Sequence, residues 1–212
     1  MSQIVPAILE ETKEGFLKQL SRISKLPGIE RVQVDFEDGI FVSRKILPVT
    51  EIDALNPAFH WEAHLMLKEP KDFLDYQICG FKTIIIHYEA YSLPTALKIA
   101  VAEIKKMGFK VGVAINPETD VEVLKDIEAD QYLLMSVTPG NQGEKFIENS
   151  LNKIKLLRQL LPHAIIEVDG GVNETNIKAI KDAGADLIIA GSALVKAEDM
   201  NLAYEKLLKE IQ

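Results

Sequence analysis

Glu167-Val168-Asp169-Gly170-Gly171-Val172-Asn173 follows the apolar run Ala164-Ile165-Ile166 and leads into Thr175-Asn176-Ile177-Lys178-Ala179-Ile180. A short apolar run of this kind reads as a buried strand and the segment after Asn173 as a helix start, so Asp169 stands at the carboxyl end of a strand. Two glycines directly after it let the backbone approach a ligand closely, beside a helix N-terminus whose unbonded N–H groups favour an anion. One acid–base group thus adjoins one phosphate cradle. Taken alone, the same residues also fit an N-cap and a tight turn; the rest of the chain decides between the two.

Outward from this stretch the pattern repeats. Gly80-Phe81-Lys82 opens an apolar run over Thr83 to His87, and Gly108-Phe109-Lys110 opens another over Val111 to Ile115; Gly184-Ala185-Asp186 precedes Leu187 to Ala190. Each glycine follows a helical pattern and suits the left-handed turn that ends a helix. Strands are expected near residues 4, 31, 60, 83, 110, 131, 164 and 186. Helices are expected over Glu11 to Ser24, Leu47 to Leu55, Pro70 to Ile78, Phe146 to Leu161 and Leu202 to Ile211. Eight strand–helix units of about 26 residues suit a compact (β/α)8 TIM barrel, one α/β domain over residues 1–212, better than an open doubly wound sheet. Polar residues with chemical capacity fall at strand carboxyl ends all along the chain, where a barrel gathers them into one mouth.

The 212 residues are 47% hydrophobic and 26% charged, enough for a sizeable core. A net charge of -8, without a Lys/Arg cluster, disfavours a nucleic-acid surface. A lone Cys79 excludes an intramolecular disulfide, and no apolar leader or bilayer-length run is present, so a cytoplasmic protein with no membrane partner is expected. The sequence leaves the oligomeric state open, a homo-oligomer included.

Asp35, His64 and Asp169 stand at three strand ends, and alternation along a strand puts Gln33 on the same face as Asp35. Asp, His and Asp together suit a divalent ion such as zinc, manganese or iron. Thr138-Pro139-Gly140-Asn141-Gln142-Gly143, Gly170-Gly171 and Gly191-Ser192 follow the sixth, seventh and eighth strands, and many barrels of this type grip phosphate with the loops after the seventh and eighth. Phosphate is therefore expected on Gly143, Gly170, Gly171, Gly191 and Ser192, with no cationic side chain placed among them. His87 ends the fourth strand and either lines the mouth or is a hydrogen-bonded structural histidine; His60 and His163 lie near strand starts, on the opposite rim. Met66 and Met135 read as core or pocket wall.

These segments resemble the ribulose-phosphate 3-epimerase family over almost the whole chain. The resemblance is carried by Val5-Pro6-Ala7-Ile8-Leu9, Val34-Asp35-Phe36-Glu37-Asp38-Gly39, His64-Leu65-Met66, His87-Tyr88-Glu89-Ala90, Asn116-Pro117-Glu118-Thr119, Met135-Ser136-Val137-Thr138-Pro139-Gly140, Val168-Asp169-Gly170-Gly171 and Ala190-Gly191-Ser192-Ala193. It implies a 3-epimerase acting on a ketopentose or ketohexose phosphate. Asp35 and Asp169 would be the acid–base pair, and a divalent metal on Asp35, His64 and Asp169 would stabilise the enediolate.

The departures lie in the same place. Gln33 stands where the family has a second metal histidine; its amide oxygen would be a weaker ligand for zinc-like ions than imidazole, giving a weaker site that tolerates manganese or magnesium better than one with two histidines would. Glu10 stands where the family has a serine and Glu37 where it has a methionine; with Met66, His87 and Met135 these form the expected substrate pocket. Such a set also fits a non-catalytic barrel that binds a phosphorylated ligand, or a different sugar-phosphate enzyme. An aldol-type synthase is disfavoured, because its Asp-x-Lys-x-x-Asp pattern is absent around Asp35-Phe36-Glu37-Asp38.

Overall fold

Eight parallel strands close on themselves in chain order in the computed structural model, which describes residues 2–52, 55–71, 80–140 and 143–212. They are β1 (Gln3–Ile8), β2 (Arg31–Glu37), β3 (His60–Met66), β4 (Phe81–His87), β5 (Lys110–Ile115), β6 (Gln131–Met135), β7 (Ile165–Asp169) and β8 (Leu187–Ala190). All eight lie where the apolar runs place them. The helices described are α1 (Lys13–Ile23), α2 (Pro94–Lys106), α3 (Ser150–Leu160), α4 (Ile177–Ala183), α5 (Ser192–Val195) and α6 (Met200–Ile211). None of the described helices is long and apolar enough to cross a membrane. Gly80, Gly108 and Gly184 all carry positive φ (110°, 92° and 115°), and Gly184 caps α4 in the left-handed region.

The strands are buried on both faces: β5, β6 and β8 run almost continuously apolar, whereas β2 and β3 alternate, their polar residues turned to the barrel interior. Outward-facing Val34, Trp61, Leu65, Ile84 and Ile86 pack under Phe16 and Ile23 of α1, Leu97, Val101 and Ile104 of α2, and Ile154 and Leu157 of α3. Each such side chain contributes about 1.5–3 kcal/mol on full burial. Inside the barrel, Ile85, Ala114, Leu133 and Met135 fill one side and Val5, Ala7, Leu187 and Ile189 the other. Below them lies a polar layer that the sequence reading missed. The Arg31 guanidinium pairs with Glu62, and the Gln131 amide donates to Glu62 (2.9 Å) and Glu167 (2.7 Å). Burial, reinforced by the charge of Glu62, pushes the Glu167 carboxyl well above its usual range.

Several helix boundaries differ from the expected ones. Among its described residues, the stretch over Leu47 to Leu55 contains one 3-10 turn, Val49–Glu51, because Pro48 holds an extended backbone ahead of it and Ile52 resumes one after it. The helix expected from Phe146 begins only at Ser150, because the Ile147 N–H is drawn to the Ser136 carbonyl (2.9 Å) at the end of β6. At the carboxyl terminus α6 begins two residues early, where the Asp199 side chain accepts from the Leu202 N–H (3.0 Å) as its N-cap. The helix expected over Pro70 to Ile78 lies, from residue 72 on, outside the described residues, as do Cys79, Asn141 and Gln142.

Candidate active site

Strand alternation brings the candidate residues to one end of the barrel. Gln33, Asp35 and Glu37 of β2 pair in register with Glu62, His64 and Met66 of β3, and Asp169 pairs with Met135 of β6. A pocket at this end is lined by Asp35, Glu37, Met66, Met135, Asp169 and the glycines Gly143, Gly170, Gly171 and Gly191 with Ser192. Asp35, His64 and Asp169 present ligand atoms within 4.8 Å of one another. His64 Nδ1 lies 3.1 Å from Asp35 Oδ1 and 3.6 Å from Asp169 Oδ2.

Gln33 is completely buried, and its amide nitrogen joins the two carboxylates, donating to Asp35 Oδ1 (2.8 Å) and Asp169 Oδ2 (2.9 Å). Its carbonyl oxygen is left without a partner. The sequence reading gave Gln33 an oxygen to offer a cation; the structure presents the nitrogen instead. The reason is electrostatic: facing two acceptors, an amide turns its N–H groups inward, and oxygen-in becomes favourable only with a cation between them. The three clustered donors suit a divalent ion.

Electrostatics match this geometry. Burial, then the charge of Asp35, raises Asp169 to about 6. Burial opposes a charged His64, but the hydrogen bond and charge of Asp35, with Asp169 and Glu37, outweigh it and hold His64 above the usual histidine range. Its other nitrogen lies 2.9 Å from His87 Nε2, and the two rings stack at 5.1 Å. Burial pushes His87 down to about 4. His87 Nδ1 meets Glu89 Oε2 at 3.3 Å, and Glu89 also accepts from the Asn116 N–H (2.8 Å) and the Thr119 hydroxyl. These bonds draw Glu89 below the usual carboxylate range against the effect of burial. A neutral His87 that donates to Glu89 accepts from His64 Nε2, which leaves His64 Nδ1 aimed at the aspartates. His87 is thus fully buried behind His64 and does not line the pocket.

Glu10 does not line the pocket either. Its carboxylate turns towards α1 and accepts from Gln19 (3.1 Å), in a small cleft with Phe16, Ile46 and Leu47. Glu37 does face the pocket, with burial and then Asp35 raising it to about 7. His60 bonds Thr83 (2.8 Å) at the strand-start end, and His163 is exposed before β7.

The glycine loops are built for close approach. A Cβ on Gly171, whose φ is +63°, would meet the Phe146 backbone nitrogen at 2.4 Å, and one on Gly170 would meet Val137 at 2.4 Å. Ser136, absent from the expected site, is fully buried and its hydroxyl bonds the carbonyls of Asp169 (2.9 Å) and Gly170 (2.7 Å). Asn173 and Asn176 hold the Gly171 carbonyl at 3.0 and 2.9 Å. Lys196 corrects the expectation of a cradle without cations, since its Nζ lies 3.0 Å from where a Gly143 side chain would begin. The signal available in the sequence was its place one turn after Gly191-Ser192.

The model of the ribulose-phosphate 3-epimerase family matches residues 3–195. The chain belongs to this family. Among its relatives, the ribulose-phosphate 3-epimerase of Bacillus subtilis (strain 168) is 31% identical over 217 residues, covering 98% of each chain. That of Aquifex aeolicus is 36% identical, over 85% of this chain and 84% of that one. The chloroplastic ribulose-5-phosphate-3-epimerase of Arabidopsis thaliana is 33% identical, over 99% and 75%. Among solved structures, a 3-hexulose-6-phosphate synthase from Salmonella typhimurium superposes with a TM-score of 0.72 at 20% identity over 99% of this chain and 98% of that one. This likeness speaks for the barrel alone.

Proposed function

We propose that this member of the ribulose-phosphate 3-epimerase family inverts the carbon next to the ketone of a ketopentose phosphate, or of a ketohexose phosphate, with Asp35 and Asp169 as its acid–base pair. The observation that carries the reading is the placement of these two carboxylates at the ends of β2 and β7, in one pocket with a glycine-lined wall. Inversion needs a base on one face of the carbon and an acid on the other. One carboxylate takes the proton from carbon as the electron pair moves onto the ketone oxygen; the opposite carboxylic acid then protonates the carbon on its other face. The glycine loops with Ser192 hold the phosphate, and Met66 and Met135 exclude water.

A divalent cation (zinc, manganese, iron or magnesium) would be held by Asp35, His64 and Asp169, with Gln33 turned oxygen-in, and would supply Lewis-acid stabilisation of the negative charge on the substrate oxygen. Gln33 and His64 meanwhile fix the spacing of the carboxylates, and His87 and Glu89 fix the tautomer of His64.

An epimerisation assay with ribulose 5-phosphate, alongside elemental analysis of the purified protein, tests the reading. Asp35→Asn and Asp169→Asn are each expected to lower the rate about 10²-fold or more. Rates within a few-fold of wild type in both variants would remove the pair from this role. The Gln33 contacts also support a second reading, a barrel that binds a phosphorylated ligand without turning it over, since its amide engages both carboxylates. That reading takes the lead if pentulose and hexulose phosphates bind but are not epimerised.

A further inference from the structure

Glu37 is only 4% exposed, and neither of its carboxylate oxygens has a hydrogen-bond partner. Among the described residues it is the one acid with both oxygens buried in that state. The other buried acids of the barrel fare differently: Asp35 accepts from Gln33, Glu62 from Arg31 and Gln131, and Glu167 from Gln131. A buried carboxylate without donors is strongly disfavoured, and a methionine of similar length would remove the penalty. The side chain persists there facing the pocket. A ligand that supplies the missing donors accounts for both facts.

The character of those donors follows from the surroundings. Glu37 stands outside the Asp35–His64–Asp169 cluster, so it is not placed as a ligand of the same cation. Arg44 is engaged by Glu11 at 3.0 Å. The phosphate-facing glycines follow β6, β7 and β8, whereas Glu37 ends β2 beside Met66 of β3. A ketose phosphate seated on those glycines, with its reacting carbon between Asp35 and Asp169, turns its other end towards Glu37. We infer that Glu37 is a specificity-determining residue that accepts hydrogen bonds from the hydroxyl at the end of the sugar away from the phosphate. The inference rests on the ketose-phosphate reading given above and adds to it a discrimination at the opposite end of the substrate.

The test compares binding of xylulose 5-phosphate and 1-deoxyxylulose 5-phosphate, which lacks that hydroxyl, by titration calorimetry on wild type, Glu37→Gln and Glu37→Met. Wild type is expected to favour the hydroxylated ligand at least about tenfold, because a site built for a hydroxyl rejects the analogue without it. In Glu37→Met the ratio falls to within about threefold while the ligand-free protein melts higher. Glu37→Gln keeps one acceptor and lies between, and it carries the test if the methionine variant fails to fold. A wild-type ratio near one, or a ratio unchanged in the variants, overturns the assignment of Glu37 alone. Failure of wild type to bind either compound overturns the ketose-phosphate reading, and this one with it.

Discussion

Replacing Gln33 by leucine probes the centre of the site with little change in volume. The amide makes two hydrogen bonds to carboxylates, 2.8 and 2.9 Å long, each worth about 1.5–3 kcal/mol when the acceptor is charged. Leucine forfeits both but also removes the buried, unpartnered carbonyl, which returns about 1–3 kcal/mol. Taken at the middle of those ranges the net expectation is a loss of about 2.5 kcal/mol, with Asp35 and Asp169 left facing each other without a shared donor. For a chain of this length that lowers the melting temperature by about 5–10 °C. Thermal unfolding in the presence of a chelator reads it directly. A leucine variant that melts at or above wild type under those conditions refutes the bridging role. Gln33→His, measured in the same series, is expected to tighten zinc binding and leave epimerase activity equal or higher.

Three further outcomes follow from the geometry. Gly171→Ala places a Cβ 2.4 Å from Phe146 N in a left-handed backbone that alone costs about 1–2 kcal/mol, so affinity for inorganic phosphate is expected to fall; unchanged affinity in a titration would contradict the cradle. His87→Asn removes the support behind His64 and is expected to weaken manganese or zinc binding about 10–100-fold by calorimetry, whereas an unchanged affinity would reduce His87 to packing. Burial, then Arg31, Lys110 and Lys82, push His60 down to about 4 from 6.5. The folded state therefore binds this proton less readily than the unfolded one, and the stability it confers is complete above pH 6.5 and lost as pH falls towards 4. His60→Gln should flatten the decline of denaturant midpoints over that window, and an identical slope would rule the group out.

Strand positions were legible because a parallel barrel buries both faces of each strand, which writes runs such as Thr83 to His87 and Val111 to Ile115 into the chain. The acids at strand ends were legible for the same reason, since a charge that closes an apolar run has few other places to go. Side-chain direction was not. Glu10 and Glu37 both depart from the family pattern, yet Gln19 of α1 draws Glu10 away while nothing draws Glu37 out of the pocket. Which atom Gln33 presents depends on two acceptors from different strands, one of them 136 residues away. Phe146 to Asn149 carry a helical pattern but are held outside α3 by a bond to Ser136, and Lys196 reaches Gly143 across the chain. Such partners become neighbours only when the barrel closes.

The seat of Phe146 over Gly171 has a mechanical consequence. Ser136 receives the Ile147 N–H on its carbonyl and with its hydroxyl holds the ends of Asp169 and Gly170, so the segments after β6 and β7 are stitched through one residue. Neither can shift without tugging the other, and a displacement of either is felt at the backbone that aims the Asp169 carboxylate. Selection for a differently shaped anion therefore cannot remodel these segments one at a time: a change in one has to be answered in the other, or the aim of Asp169 is lost.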